Sequence, residues 1–194
     1  MRHDSAVEMP IEEHADQRQQ FRILCGVPAM EHLLASSLIA AGFRYTPEAA
    51  TLLLVDAPQG FALRQLETLP KSGLRIIVTT RNRCPEYWED LWDLQPDILI
   101  VSDNLQREVN TALLQVSKGE QYRVVPDVQS RLTGCERIVL QLIARGWTTE
   151  RVAKYRGVSP KTVHNTMSNI CEKLQMPTRH AAMLYYWGRL DLLD

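Results

Sequence analysis

Residues 159–174 read Ser-Pro-Lys-Thr-Val-His-Asn-Thr-Met-Ser-Asn-Ile-Cys-Glu-Lys-Leu, which puts several hydrogen-bonding side chains at helical spacing. Ser159 makes a good N-cap with Pro160 at the first helical position, so a helix starts there. At about 100° per residue, Val163, Met167, Ile170 and Leu174 fall within one narrow stripe. That stripe must face a core. The opposite surface then carries Lys161, Asn165, Ser168 and Glu172, with His164 and Asn169 on its flanks. Such a face can address duplex DNA: Asn bonds adenine through two hydrogen bonds, His and Ser donate or accept, and Lys reaches guanine or a phosphate. The helix N-terminus offers further N–H groups to a phosphate. A polar face that meets only water is the alternative, and this helix taken alone does not choose between the two.

Other chemistry is sparse. Asp56, His32 and His180 stand alone, without a nucleophile–base pair, a G-x-S-x-G turn or a P-loop, so no enzyme is indicated. Cys25, Cys84, Cys135 and Cys171 are far apart and form no C-x-x-C pair or zinc-finger spacing. They read as buried or half-buried thiols, and no metal or cofactor is expected. The N-terminus mixes charges of both signs and lacks the apolar core of an export signal, and no apolar run is long enough to span a bilayer. A soluble, cytoplasmic protein is the expectation.

The elements that must position the polar helix follow from charge and periodicity. The formal net charge of −1 over 194 residues hides a division. Residues 1–130 hold 12 Lys+Arg against 18 Asp+Glu, a balance of −6, whereas residues 131–194 hold 10 against 5, a balance of +5. Asymmetry of this kind signals a nucleic-acid-binding part joined to an acidic one, and it favours the DNA reading. In the first part, strands over Phe21–Cys25, Thr51–Val55, Arg75–Thr80 and Asp97–Val101 alternate with helices over Met30–Ala41, Phe61–Leu69, Pro85–Leu94 and Leu105–Ser117. That order predicts an open parallel α/β sheet across 21–117, preceded by a solvated tail over 1–20. A polar linker is expected over 118–130. Residues 131–194 read as all helix. A Thr133-x-x-Glu136 capping box opens the first helix, a short second helix follows Thr148, and a Gly157 turn leads into the helix at Ser159. Two helices across a short Gly-containing turn are a helix-turn-helix.

The residues Leu132-Thr-Gly-Cys-Glu136, Ala144-x-Gly-Trp147, Val152-Ala153, Val158-Ser159, Thr162-Val163, Asn169-Ile170, Lys173-Leu174, Arg179 and Ala181-Ala182 resemble the LuxR-type helix-turn-helix. With an α/β part ahead of it, the layout is similar to NarL/FixJ-type response regulators. The resemblance implies base reading by His164, Asn165 and Ser168. It makes Thr162, Lys173 and Arg179 candidates for phosphate contact, alongside Lys161 on the same face. It also implies a homodimer, with Met183, Leu184 and Trp187 of the last helix as interface candidates or, equally, core residues. The family has Lys at the first base-reading position and often His two residues later. This chain has His164 and Thr166, so no target sequence is borrowed from relatives.

The α/β part resembles a receiver domain, in which Asp56 would be the phospho-accepting aspartate and Thr80 the hydroxyl after the fourth strand. The remaining parts are missing. Cys25-Gly26 stands where the family has its Mg²⁺-binding acidic pair, Ser102 replaces the conserved-type lysine, and Leu99 the switch aromatic. Only Phe43–Thr46 and a few residues after Pro47 are left for the second strand and helix. The expectation is a truncated receiver serving dimerisation or partner binding, with Asp56 not phosphorylated conventionally. Its input would be a protein or small molecule at the strand C-terminal edge. A phospho-Asp56 regulator, an antiterminator, a sigma-factor promoter-reading domain and a pure protein-interaction module are the rivals.

Overall fold

The computed structural model describes residues 19–190 apart from 71, 117, 118 and 120, so the expected tail lies, up to residue 18, outside the described residues. Six strands, β1 (Gln20–Cys25), β2 (Arg44–Tyr45), β3 (Thr51–Val55), β4 (Arg75–Thr80), β5 (Ile98–Val101) and β6 (Tyr122–Val124), form one sheet in the order β2-β1-β3-β4-β5-β6. Every pairing is parallel, with Ile23 opposite Leu53, Leu53 opposite Ile77, and Ile77 opposite Ile98. A parallel sheet needs a crossover between strands, and the crossovers cover both faces. Every residue of β3 is accordingly buried.

Alternating strand residues serve two cores. Ile23, Leu53, Ile77, Ile98 and Ile100 face α1 (Pro28–Ala40) and α4 (Leu105–Gln115). Leu54, Ile76, Val78 and Leu99 face α2 (Phe61–Thr68) and α3 (Pro85–Asp93). Pro28 and Pro85 stand in the first turns of α1 and α3, where their missing N–H costs nothing. The second strand is only two residues long. Thr46 and Ala49 close a turn after it and lead directly into β3, with no helix between. The truncation expected there is present.

Residues 118–130 are not simply a linker. β6 pairs with β5, with Ile98 opposite Tyr122 and Ile100 opposite Val124, and extends the sheet by one strand. An edge strand of three residues, half-exposed on both sides, leaves almost no hydrophobic pattern to read. Arg123 on this strand pairs with Glu89 of α3 at 2.6 Å and lies over the Trp92 ring.

The C-terminal part has four helices: α5 (Gly134–Ala144), α6 (Thr149–Arg156), α7 (Pro160–Lys173) and α8 (Arg179–Tyr186). The capping box forms, with Thr133 accepting from the Glu136 amide and Glu136 accepting from the Thr133 amide. Leu140, Ile143, Val152, Val163, Ile170, Leu174 and Ala182 make its core. That core is continuous with the α2–α3 side of the sheet, so α2 and α3 lie between the sheet and the helical domain. No helix among the described residues is long and apolar enough to cross a membrane.

Gly60, ahead of α2, sits at φ 85°, and a Cβ there would meet Trp187 at 2.7 Å. Gly60→Ala combines left-handed strain with this clash and should cost about 1–3 kcal/mol, read as a lower urea midpoint. An unchanged midpoint would show that Trp187 is not seated on this turn.

Candidate nucleic-acid interface and the receiver-like pocket

Local geometry sets the angle between α6 and α7. Thr148 caps α6 by accepting from the Arg151 amide, and Gly157 ends it in the left-handed conformation at φ 67°. The Val158 amide returns to the Ala153 carbonyl, which closes the turn. Ser159 then accepts from the Thr162 amide at 3.1 Å. Val163, Met167, Ile170 and Leu174 are all buried, as their spacing predicts.

This fixes the other face of α7. Lys161, Thr162, His164, Asn165 and Ser168 are exposed together. Lys161, His164 and Asn165 make no side-chain hydrogen bond among the described residues. The hydroxyls are partly used: Ser168 donates to the His164 carbonyl at 3.2 Å, and Thr162 pairs with the Ser159 hydroxyl at 2.9 Å. His164, Ser168 and Arg179 line one open groove of about 360 Å³ between α7 and the start of α8.

Two of the phosphate-contact candidates have partners within the domain. The Lys173 ammonium donates to both oxygens of Glu136, at 2.7 and 2.8 Å, locking the end of α7 onto the capping box of α5. Burial pushes the Glu136 carboxyl up, but the bonds from Lys173 and Thr133 outweigh it and hold it below its ordinary value. Arg179 donates to the Thr149 hydroxyl at 3.0 Å, which ties the start of α8 to the start of α6. Of the dimer candidates, Met183 and Leu184 are half-buried. Trp187 is turned into the molecule: its Nε1 donates to the Ala144 carbonyl at 2.9 Å, and its ring meets Tyr87 and Tyr186 edge to face. A tryptophan so placed joins the two domains and is not a free interface residue.

The junction around Trp187 was not visible in the sequence. Glu86 on α3 is fully buried and accepts from the Arg131 amide at 2.9 Å and the Tyr185 hydroxyl at 2.8 Å. One turn on, Asp90 accepts from Arg137 at 3.1 Å, Gln141 at 3.2 Å and the Tyr186 hydroxyl at 2.6 Å. Burial pushes the Asp90 carboxyl up against these donors. Arg145 reaches Glu67 of α2 with both terminal guanidinium nitrogens, at 2.7 and 3.1 Å. Part of the charge asymmetry is thus neutralised inside the chain. Glu86 and Asp90 are an i, i+4 pair of carboxylates, but Glu89 and Asp93 form another on the same helix, so on an isolated helix both read as solvated faces.

At the other end of the sheet, Asp56 is 6% exposed and fully bonded. One oxygen accepts from the Ala62 amide at 3.0 Å; the other accepts from the Thr80 hydroxyl at 2.8 Å and the Tyr87 hydroxyl at 2.9 Å. Burial pushes its carboxyl up, and these bonds partly offset that. Thr80 lies where the receiver resemblance puts it, while the aromatic group comes from α3, not from β5, where Leu99 is buried in the core. Mg²⁺, which a receiver would use, does not fit the residues here. Cys25 donates its thiol to the Val27 and Ala57 carbonyls, and a Cβ on Gly26 would strike the Ala57 carbonyl oxygen and Phe61 at 2.8 Å, leaving no room for a carboxylate. No group of three His, Cys, Asp or Glu that could hold a metal ion occurs among the described residues. Two cations that motif reading passed over, Arg81 and Arg83, line the cavity above Asp56.

Residues 130–186 match the profile of a family described as bacterial regulatory proteins, luxR family (GerE). The chain is 27% identical over 135 residues to the transcriptional regulatory protein DesR of Bacillus subtilis, covering 66% of this chain and 68% of that protein. It is 30% identical over 128 residues to the transcriptional regulatory protein UhpA of Salmonella typhimurium, covering 62% and 64%. Among solved structures it is similar to RcsB in two RcsB dimers bound to two parallel DNAs, with a TM-score of 0.55 and 18% identity over 88% of this chain and 98% of that one. RcsB from Salmonella enterica serovar Typhimurium bound to promoter P1flhDC gives a TM-score of 0.55 and 19% identity, with the same coverage. These structural likenesses show the fold. Residues 130–186 thus match the LuxR-family model, and the chain as a whole shares the fold of RcsB, a receiver-like sheet domain followed by a helical domain.

Because the Glu136 carboxyl is held below its ordinary value, its contribution to stability is present above the ordinary carboxylate range, near pH 4, and is lost as pH falls through the lowered value. Glu136→Gln should therefore remove part of the acid loss of stability between about pH 5 and about pH 2, measured as thermal midpoint against pH. Parallel pH profiles for the two proteins would count against the Lys173–Glu136 clamp.

Proposed function

We propose that the protein is a sequence-specific DNA-binding transcription regulator that works without aspartyl phosphorylation. The observation carrying the DNA reading is the α7 face, where Lys161, His164 and Asn165 stand exposed and uncommitted beside the groove that holds Ser168 and Arg179. A helix docked in the major groove by its N-terminal half would present His164, Asn165 and Ser168 to base edges, with Lys161, Thr162 and Arg179 toward phosphates. Lys173 serves chiefly to hold α7 on α5. DesR and UhpA, similar over about two-thirds of their length, are named as transcriptional regulators, and RcsB binds DNA as dimers, which supports the same reading and a homodimer. Arg137 and Arg145 are spent on Asp90 and Glu67 of the sheet domain, so the free positive charge is smaller than the +5 balance. Weak non-specific affinity follows, and two-fold binding would supply the rest. A cytoplasmic, non-enzymatic protein fits this role.

For the receiver-like domain, the closed space at Gly26 and the saturation of Asp56 support a structural role for that carboxylate. It ties the β3–α2 turn to β4 and α3. Incubation with acetyl phosphate and Mg²⁺ should leave Asp56 unmodified and DNA affinity unchanged, by intact-mass and retardation measurements. Stoichiometric phospho-Asp56 with tighter DNA binding would overturn this.

Selection of DNA sites from a random pool with the unmodified protein tests the DNA reading directly. Asn165→Ala should cost roughly 1–3 kcal/mol on the selected site and relax specificity at one base position. Arg179→Ala should weaken all sequences alike and flatten the salt slope by about one unit. Failure to enrich any sequence, or equal behaviour of the two variants on selected and random DNA, would remove the assignment.

A further inference from the structure

Two open cavities lie side by side at the C-terminal edge of the parallel sheet, each of about 370 Å³, within the range that small-molecule sites occupy. They share one wall, made of Arg81, Arg83 and Asp103. The first cavity has Asp56 on its floor. The second replaces that carboxyl with an apolar surface from Trp88, Val101, Pro126 and Val128.

The shared wall is short of negative charge. Arg81 and Arg83 both turn to the single carboxylate of Asp103, at 3.6 and 3.4 Å, and all three side chains are about two-thirds exposed. At these distances and this exposure the pairs contribute little, and one carboxylate cannot engage two guanidinium forks fully. The opposite side is unusually apolar for a cavity open to water. Val128 is 53% exposed and Pro126 is exposed beside it, while Trp88 and Val101 are buried behind them, the indole held by its own N–H on the Asn82 carbonyl. Cationic forks beside an apolar wall with a rigid backing are what a ligand with one anionic group and an apolar body requires. An anion placed in the first cavity would face Asp56; in the second it would not.

We propose that the second cavity binds a small organic anion, a carboxylate or phosphate monoester with an aromatic or aliphatic body. The anionic group lies between Arg81 and Arg83, displacing Asp103, and the body lies on Pro126 and Val128, over the buried edges of Trp88 and Val101. The site joins four segments: the β4–α3 loop, α3, the end of β5, and residues 126–128, which lead from β6 to α5 and so to the helix-turn-helix.

The test uses the full-length protein and four probes: phenyl phosphate, benzoate, inorganic phosphate and benzyl alcohol. Each is titrated calorimetrically to about 10 mM, enough to saturate a fragment of about millimolar affinity. Saturable binding of phenyl phosphate or benzoate with one site per chain is expected, with the better of the two telling a phosphate ligand from a carboxylate. Arg81→Gln with Arg83→Gln should weaken it about tenfold or more. Val128→Asp, which keeps both arginines and puts a carboxylate on the apolar wall, should abolish it; this exposed position keeps the test valid if the double variant folds poorly. Asp56→Asn should leave it unchanged. No saturable binding by either aromatic anion, binding indifferent to the arginine and Val128 changes, or inorganic phosphate binding as tightly as phenyl phosphate would each overturn the proposal. The assay contains no DNA, so its failure is separate from that of the DNA reading.

Discussion

Glu86 and Asp90 lie one turn apart on α3, both removed from water, in the layer between the parallel sheet and the helical domain. A carboxylate buried without donors is among the most costly features a fold can contain, and most of the donors here come from beyond α3. The Arg131 amide and the Tyr185 hydroxyl satisfy one; Arg137, Gln141 and the Tyr186 hydroxyl satisfy the other. Undocking α5 and α8 would leave these acceptors to find water while exposing Tyr87, Trp88 and Tyr186. The docking of the two domains is therefore directional: apolar contact supplies the attraction, and the carboxylates choose the register.

That register also gives the receiver-like domain a short physical route to the helix-turn-helix. Tyr87 donates to Asp56 on its sheet side and meets Tyr186 and Trp187 of the α8 region on the other. The carboxyl that a receiver would phosphorylate is here one side chain away from the helix-turn-helix domain, and its bonds are already taken. Asn82, in the loop between β4 and α3, makes a second link by donating to the Tyr186 carbonyl at 2.9 Å. The same loop carries Arg81 and Arg83, so the groups lining the edge cavities and those at the junction belong to one continuous segment.

Much of this was legible locally. The strand runs Thr51–Val55 and Arg75–Thr80, the capping box at Thr133 and Glu136, and the Ser159-Pro160 start are short-range signals, and each element formed within two residues of its expected limits. The buried stripe of α7 followed from spacing alone, and with it the exposed face. What failed locally failed for identifiable reasons. β6 is a three-residue edge strand whose pairing with β5 is its main definition. For Trp187, where spacing left core and interface equally open, and for Lys173, the partners are the Ala144 carbonyl with the Tyr87 ring and Glu136, which come from far along the chain. The charge asymmetry was real, yet Arg137 and Arg145 use their charge on Asp90 and Glu67 rather than on an outside partner.

The amino-acid sequence by itself determined which segments are strand or helix, the edge strand β6 excepted, which face of α7 is apolar, and that the receiver's acidic pair is absent, because periodicity, caps and residue identity act over a few neighbouring residues. Only the tertiary structure decided that the domains share one core, that Gly26 has no space for the missing carboxylate, that Asp56 is saturated, and that Arg81 and Arg83 flank two cavities. Those facts depend on atoms brought within a few ångströms from segments tens of residues apart, and burial and hydrogen-bond saturation exist only once that packing is made.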